Sequence, residues 1–411
     1  MYDVYKIREQ FPMLNDKTMQ GHPLVYLDNA STTFKPQCVI DKINEYYLEK
    51  NANSHRGDYD LCYLMDVEVE NVRKKVANFV NCFEDEVIFT SGDTESLNLI
   101  AYGYCLTKLN KNDGILISLA EHASNVLPWY RISEITGCQI YFVDTINNRI
   151  TPKNVEEAFK KHPNIKFVSF ACIGNVLGYL IDVKAIAKIV HENGAILSID
   201  GAQSVPHIKT DFLGDDIDFL SFSAHKMCGP TGVGALVAKR NILKEMSPFI
   251  MGGGMNVTFK NNLEYSPLNA PRKFEAGTQN LAGIMGFGAA IDFLNSLGME
   301  NIEKHEKELR KYLIEKLENT DDVIIYNKAA DAGILTFNKK GIFAQDEATL
   351  LNSKGIAVRS GEHCAKMLDN LIDTIATVRL STYLYTTKEE IDVFVENLKN
   401  GGDILDAYFL K

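Results

Sequence analysis

Residues 217–239 read "IDFLSFSAHKMCGPTGVGALVAK". The runs "IDFLSFS" (217–223) and "GALVAK" (234–239) are short, apolar and bounded by turn residues, which marks them as buried strands. Between them the chain delivers His225 and Lys226 and then turns through glycines. An ammonium at the tip of a buried strand is costly unless something occupies it. The glycines do not explain it, because "GPTGVG" lacks the G-K-[ST] of a phosphate-binding P-loop and the G-x-G-x-x-G spacing of a dinucleotide fold.

Further runs of the same kind lie upstream: "EVIFT" (86–90), "GILISL" (114–119), "QIYFVD" (139–144), "IKFVSFA" (165–171) and "AILSID" (195–200). Helical stretches alternate with most of them, among them "TESLNLIAYGYCL", "TPKNVEEAFKK" and "VKAIAKIVHENG", the last closed by Gly194 in the C-cap position. The alternation predicts an α/β fold with a mostly parallel sheet between helices, whose ligands bind at the carboxyl ends of the strands. The last third changes character. A long amphipathic helix "MENIEKHEKELRKYLIEKLENT", strands "VIIYN" and "GILTFN" and a closing helix "KEEIDVFVENLKN" describe a smaller α+β domain. The expected division is an N-terminal arm over 1–20, a large domain over 21–290 and a small C-terminal domain over 291–411.

Composition narrows the function. A chain of 411 residues, 45% hydrophobic and 24% charged, is an ordinary globular protein with room for a large core. A net charge of -11 argues against nucleic acid and against an acidic membrane surface as partners. No apolar run reaches membrane-spanning length, and "MYDVYKIREQF" lacks the basic start and apolar middle of a signal peptide, so a cytoplasmic location is expected. The eight cysteines include no C-x-x-C pair, so neither a disulfide framework nor a metal site is expected. Only Cys364, in "RSGEHCAK" with Arg359, His363 and Lys366 around it, sits in a setting that suggests reactivity, provided those charges point inward.

Four strand tips carry polar residues. "EVIFT" is followed by "SGDTES", a glycine turn into a helix whose N–H groups favour a phosphate. "ISL" leads to "AEHASN" and His122, "AILSID" ends on Asp200, and "IDFLSFS" ends on "AHK". Taken singly these residues are what any surface, cap or turn contains. Converging on one pocket they are the parts of a pyridoxal-phosphate site: a lysine to bind the cofactor, a carboxylate for its ring nitrogen and a cradle for its phosphate.

At this level of detail the chain resembles the class V aminotransferase-fold enzymes, specifically the cysteine desulfurases of the group that includes the Suf-type desulfurases and selenocysteine lyases. The resemblance runs through "YLDNASTTFKPQ" (26–37), "NANSHRGDYDLC", "FTSGDTESLNL", "EHASNVLPW", "SIDGAQSVPH", "SFSAHKMCGPTGVGAL", "MGGGMN", "KFEAGTQN", "VRSGEHCAK" and "VRLSTYLYTTKEEID". It implies the PLP-dependent transferase fold of type I, usually a homodimer with active sites at its interface. It also implies that Lys226 binds pyridoxal 5′-phosphate covalently and serves as acid and base, that Asp200 pairs with the ring nitrogen, that Gln203 bonds the ring hydroxyl and that His122 stacks on the ring. Thr94, Ser223 and His225 match phosphate ligands, and Thr278 matches the one lent by the other subunit. Asn175, Arg379 and Arg359 match substrate-binding positions, with Arg379 clamping a carboxylate. Cys364 matches the thiol that takes sulfur from L-cysteine, leaving L-alanine and a persulfide for an acceptor protein in iron–sulfur cluster assembly or thio-modification. A selenocysteine lyase acting on L-selenocysteine, another class V aminotransferase or epimerase, and an idle assembly subunit are the alternative readings.

The chain departs from the family pattern at several points. Ala123 and Ser124 stand where a second histidine and a small apolar residue are frequent, and Cys172 and Gly174 where His and Ser are. Glu362 replaces a histidine, and Thr386 an Asn. Asp93 places a carboxylate beside the expected phosphate site, where it must point away or weaken binding.

Overall fold

The computed structural model describes residues 2–54, 57–255, 258–260, 264–318 and 320–402. His55, Arg56 and Asn256 of the quoted motifs, and the last residues of the small domain, lie outside the described residues. The expected strands form one seven-stranded sheet. They are β1 (Val87–Thr90), β2 (Gly114–Ile117), β3 (Gln139–Phe142), β4 (Ile165–Ala171), β5 (Ile196–Asp200), β6 (Phe219–Ser223) and β7 (Gly234–Ala238). Their spatial order is β1-β7-β6-β5-β4-β2-β3. β7 runs antiparallel to both of its neighbours, while the pairs from β6 through to β3 are parallel. A parallel sheet is buried on both faces, and the side chains show it. Val87, Phe89, Leu116, Val168, Phe170, Leu220 and Phe222 enter one core, whereas Ile88, Ile115, Ile117, Phe167 and Phe219 enter the other. This period-2 division explains why each strand reads as an apolar run rather than as an alternation.

The flanking helices are α1 (Gln37–Glu49), α2 (Asp60–Val80), α3 (Asp93–Ile100), α4 (Leu127–Thr136), α5 (Pro152–Lys161) and α6 (Val183–Glu192). α5 begins at a Thr151 cap whose hydroxyl accepts the Asn154 N–H, with Pro152 in the first turn. α6 ends one residue earlier than expected: Asn193 is the C-cap, and Gly194 follows it with φ +66°. The helix expected over 94–106 is interrupted, because Ala101–Cys105 form a π turn. There the Gly103 carbonyl accepts the Ser247 N–H, and a Cβ at Gly103 would lie 2.6 Å from the Ser247 carbonyl.

A buried helix α7 (Leu281–Leu297) and the bent continuation α8 (Met299–Leu317) lead to the second unit. Its sheet has the order Val323–Ile325, Ile334–Lys339, Thr377–Ser381 and Arg359–Gly361, antiparallel throughout. α9 (Ala344–Ser353) and α10 (Lys388–Asn400) pack with it. Residues 25–28, counted with the large domain from the sequence, pair with this unit instead. Val25–Tyr26 run parallel to Ile356–Ala357, Asp28 bridges to Ser381, and Val25 and Leu27 join the small core. The arm before them clasps both units: Phe11 is fully buried with its ring against Phe293 and Tyr385, and Arg8 pairs with Glu390 at 2.9 Å. Among the described residues no single helix is long and apolar enough to cross a membrane.

Because Phe11 joins α7 to the closing segment of the small unit, Phe11→Ala should cost about 3–5 kcal/mol. Urea unfolding followed by circular dichroism would measure this. A loss under about 1 kcal/mol would show that the arm is an accessory rather than a clasp.

Candidate functional site

Every strand tip singled out in the sequence opens on one cavity of about 200 Å³. Asp93 and Thr94 come from the start of α3, His122 and Ser124 from the turn after β2, Asp200 and Gln203 from the end of β5, and Ser223, His225 and Lys226 from the end of β6. Asn175 approaches from the loop after β4, and the small unit contributes Arg359, His363 and Arg379. The convergence follows from parallel pairing, since strands running the same way end at the same edge. Asp200 lies opposite Ser221 in the β5–β6 register.

Burial sets the charge states. Lys226 is lowered from the ordinary lysine value by burial, against the opposing pull of Asp200 and Asp93, a shift in the direction of the nucleophilic amine. Asp200 is raised by burial, against the Ala202 N–H at 2.9 Å and the charge of Lys226. His122 and His225 are each lowered to about 4, by burial first and then by Lys226. The Nδ1 of His122 accepts the Ser124 N–H at 3.1 Å, so the neutral ring carries its proton on Nε2. His363 is lowered to about 3, by burial and then by Arg379 and Arg359.

Around this floor the hydroxyls and amides are partly committed. Thr94 shares a 2.8 Å hydrogen bond with Ser124, and Ser223 Oγ accepts the Asp93 N–H at 2.8 Å. The Gln203 side chain donates to the Ala30 carbonyl at 2.7 Å, while its Oε1 has no partner. Lys35 crosses behind the lysine turn and donates to the His225 carbonyl at 3.0 Å and to the Thr33 carbonyl. Its ammonium is lowered to about 8 by burial.

The arginines come from the small unit. Arg379 is 1% exposed. Its Nη2 donates to Asp28 at 3.0 Å and to Ser31 at 2.8 Å, its Nη1 donates to the Asn175 carbonyl at 3.0 Å, and its Nε is unpartnered. Asn175 Oδ1 is likewise buried without a partner. Arg359 donates to Ser31 at 3.2 Å and to Cys364 Sγ at 3.5 Å.

Cys364 is exposed beside the cavity. Its loop is pinned to the large unit, since the Cys364 carbonyl accepts the Ala123 N–H at 2.7 Å and the His363 carbonyl accepts Asn175 Nδ2 at 2.9 Å. Of the charges expected around the thiol, Arg359 alone reaches it. His363 turns inward to Thr377, and Lys366 is paired with Glu362 at 3.4 Å. Thr278 does not reach this cavity within the chain. It lines a separate one with Glu95 and Asn280, and Asn53 donates to its hydroxyl at 3.4 Å.

Sequence reasoning assigned no role to Asp28, Ser31 or Glu121, and it placed His363 beside the thiol rather than in the cavity wall. Asp28 and Ser31 lie inside the quoted "YLDNAS" motif, but their pairing with Arg379 spans most of the chain. Glu121 is buried behind His122, held by Ser118 Oγ, Asn125 Nδ2 and the Ala171 N–H, and raised to about 7 by burial. Asp93, which had either to point away from the site or to weaken binding there, does not point away: it lines the cavity.

The donor set fits pyridoxal phosphate. Asp200 is buried and raised by that burial, so a cationic ring nitrogen suits it; an amide oxygen and a guanidinium nitrogen lack partners, and hydroxyls and N–H groups meet at a helix start after Gly92, where a Cβ would meet Ser223 Oγ at 3.1 Å. Among the described residues no group of three His, Cys, Asp or Glu could hold a metal ion.

Comparison with known proteins bears on the same cavity. The model of the aminotransferase class-V family matches residues 25–394. The chain is 40% identical to a Halalkalibacterium halodurans protein named "Probable cysteine desulfurase", over 99% of this chain and 100% of that one. It is 38% identical to the cysteine desulfurase of Haloferax volcanii, over 96% of each. Among solved structures, the cysteine desulfurase of Thermococcus onnurineus superposes with a TM-score of 0.91 at 32% identity, covering 97% of this chain and 98% of that one. The cysteine desulfurase CsdA of Escherichia coli superposes with a TM-score of 0.88 at 30% identity, covering 99% of each.

The buried imidazoles make a testable statement about pH. The unfolded chain takes up a proton at each histidine near pH 6.5, whereas folded His363 refuses it until about pH 3. The unfolded state therefore binds more protons in that window, and stability falls as pH drops through it. Replacing His363 by Gln should flatten the loss by about 1.4 kcal/mol per pH unit below about 6. Denaturant titrations of both proteins at several pH values measure the slope, and parallel slopes would show that His363 protonates freely.

Proposed function

Because the chain belongs to the aminotransferase class-V family and is a cysteine desulfurase whose cofactor is pyridoxal 5′-phosphate, we propose that Cys364 is the thiol that takes the sulfur of L-cysteine. The observation that carries this assignment is the placement of an exposed sulfur 3.5 Å from Arg359, which itself lines the cavity that holds Lys226.

When bound, the cofactor supplies an electron sink for charge that develops on the substrate carbons. The chain's own groups do the rest. Lys226 would anchor the cofactor and, once freed by substrate, would serve as the amine that removes the α-proton and later returns protons to the product. Asp200 would pair with the ring nitrogen, a cation that would offset the burial that raises it. Thr94, Ser223 and His225 would hold the phosphate, and Gln203, whose amide oxygen is free, would bond the ring hydroxyl. Arg379, with Asn175 and Arg359, holds the substrate carboxylate, which replaces Asp28 on the guanidinium. His122, neutral with its proton on Nε2, would pack against the ring and could move a proton.

Sulfur transfer then balances simply. The Cys364 thiolate attacks the substrate sulfur, an S–S bond forms, and the carbon–sulfur bond breaks with its electron pair left on carbon. Protonation of that carbon completes L-alanine, and Cys364 is left as the persulfide. An exposed persulfide suits hand-over to an acceptor protein, and we place the enzyme in iron–sulfur cluster assembly or thio-modification on that ground. A second copy of the chain is the proposed destination of Thr278. Exposed Phe249, Ile250, Met251 and Phe259 supply an apolar surface for such pairing.

Mixing the yellow holoenzyme with L-cysteine, without reductant, should add one sulfur to the Cys364 peptide by mass spectrometry, with alanine formed. Lys226→Ala should abolish both the visible absorbance and activity, whereas Cys364→Ser should keep the colour and lose desulfuration. A Cys364→Ser enzyme that desulfurates cysteine at full rate would refute the assignment and direct the search to selenocysteine.

A further inference from the structure

Asp93 is the departure that the reaction does not use. Its backbone N–H donates to Ser223 Oγ at 2.8 Å, which fixes the start of α3 against the tip of β6. The side chain is 8% exposed, lines the cofactor cavity, and leaves Oδ1 buried without a partner. Asp200 at the end of β5 and Lys226 in the turn after β6 are the charged groups that act on it, and the Ser221 hydroxyl of β6 faces it as well. On its own helix, Glu95 is turned back to the Ser91 N–H at 2.7 Å.

Glu121, buried in the same region, has a hydroxyl, an amide and a backbone N–H all donating to it, and these restrain the rise that burial causes to about 7. Asp93 lacks such a set. Although Arg359 and Arg379 line the same cavity, the charges that act on Asp93 itself are Asp200 and Lys226, so two ionised carboxylates would share one ammonium, and neighbouring like charges do not both ionise readily. Burial and then Asp200 accordingly push Asp93 up to about 8, against the pull of Ser221 and Lys226.

Resting on the pyridoxal-phosphate reading of the cavity, we propose that Asp93 is a cofactor-site residue that works as a neutral carboxylic acid, and that loss of its proton to solvent weakens the hold on the anionic cofactor. In the neutral form the side chain is a hydrogen-bond donor inside the cradle. In the ionised form it opposes both the phosphate and Asp200. The residue thereby links cofactor retention to pH, which a side chain with no titrating group cannot do.

The test is a binding measurement on apoprotein, independent of turnover. Wild type, Asp93→Asn and Asp93→Thr are titrated with pyridoxal 5′-phosphate at four pH values from about 6.5 to about 9.5, following quenching of the single tryptophan, Trp129, and the visible absorbance of bound cofactor. Every other titrating group is present in all three proteins, so the ratio of wild-type to variant Kd reports the charge of Asp93 together with its pull on Asp200 and Lys226. That ratio should be constant at the acid end and rise roughly tenfold per pH unit above the titration. A ratio unchanged across the whole range, with either variant, overturns the proposal while leaving the cofactor assignment intact. Wild type that shows no saturable binding at any pH overturns both. The Thr variant keeps the test open should the Asn variant fold poorly, with circular dichroism as the check on folding.

Discussion

The parallel pairing of β5 with β6 is the constraint on which the site depends. In that register Ser198, Ile199 and Asp200 face Phe219, Leu220 and Ser221, so the carboxylate and the turn bearing Lys226 emerge at the same edge. A slip of one residue would send Asp200 to the other face and exchange the two cores. Such a slip is costly because both faces are closed: Leu220 and Phe222 fill one core while Phe219 fills the other. The large apolar cores are therefore what hold a lysine, two aspartates and three histidines together in a space that each alone would avoid.

The same burial divides the cations into two classes. His122, His225 and His363 are held neutral, whereas Arg379 is lowered by burial but supported as a cation by Asp28. On the proposed assignment, the hold on an anionic substrate rests on a guanidinium, and the proton chemistry on the imidazoles and Lys226. Asp28 belongs to this division. It keeps Arg379 compensated while no carboxylate is bound, and a buried guanidinium without such a partner would cost several kcal/mol.

How far the sequence foretold this depends on whether the signal was local. Strands were legible because two-sided burial leaves an uninterrupted apolar run, and α10 was legible because amphipathic period and a Thr387 cap agree. The strand-tip residues were legible once the strands were placed, because the fold class dictates the edge at which they meet. What was not legible is long-range. Asp28 meets Arg379 across 351 residues, and residues 25–28 join the small unit through a short parallel pairing that no local pattern announces. The π turn at Ala101–Cys105 depends on Ser247, and the inward turn of His363 depends on Thr377. The direction of Asp93 stayed open in the sequence because its surroundings are set by β6 and β5, not by the helix that carries it.

Cys364 raises the opposite problem, since the sulfur we propose to meet both a buried substrate and an external acceptor cannot be packed. The loop resolves this in its backbone. His363 and Cys364 both adopt left-handed conformations, with φ +52° and +58°, a cost of about 1 kcal/mol each for residues other than glycine. What offsets that cost is attachment: the carbonyls of these same two residues receive hydrogen bonds from Asn175 and Ala123 of the large unit. Two consecutive left-handed residues turn the chain sharply enough to send the His363 ring into the cavity wall and leave the next side chain at its mouth, against Arg359. Position, not packing, thus defines this thiol, and the position is held by backbone contacts that would survive any exchange of the side chain itself.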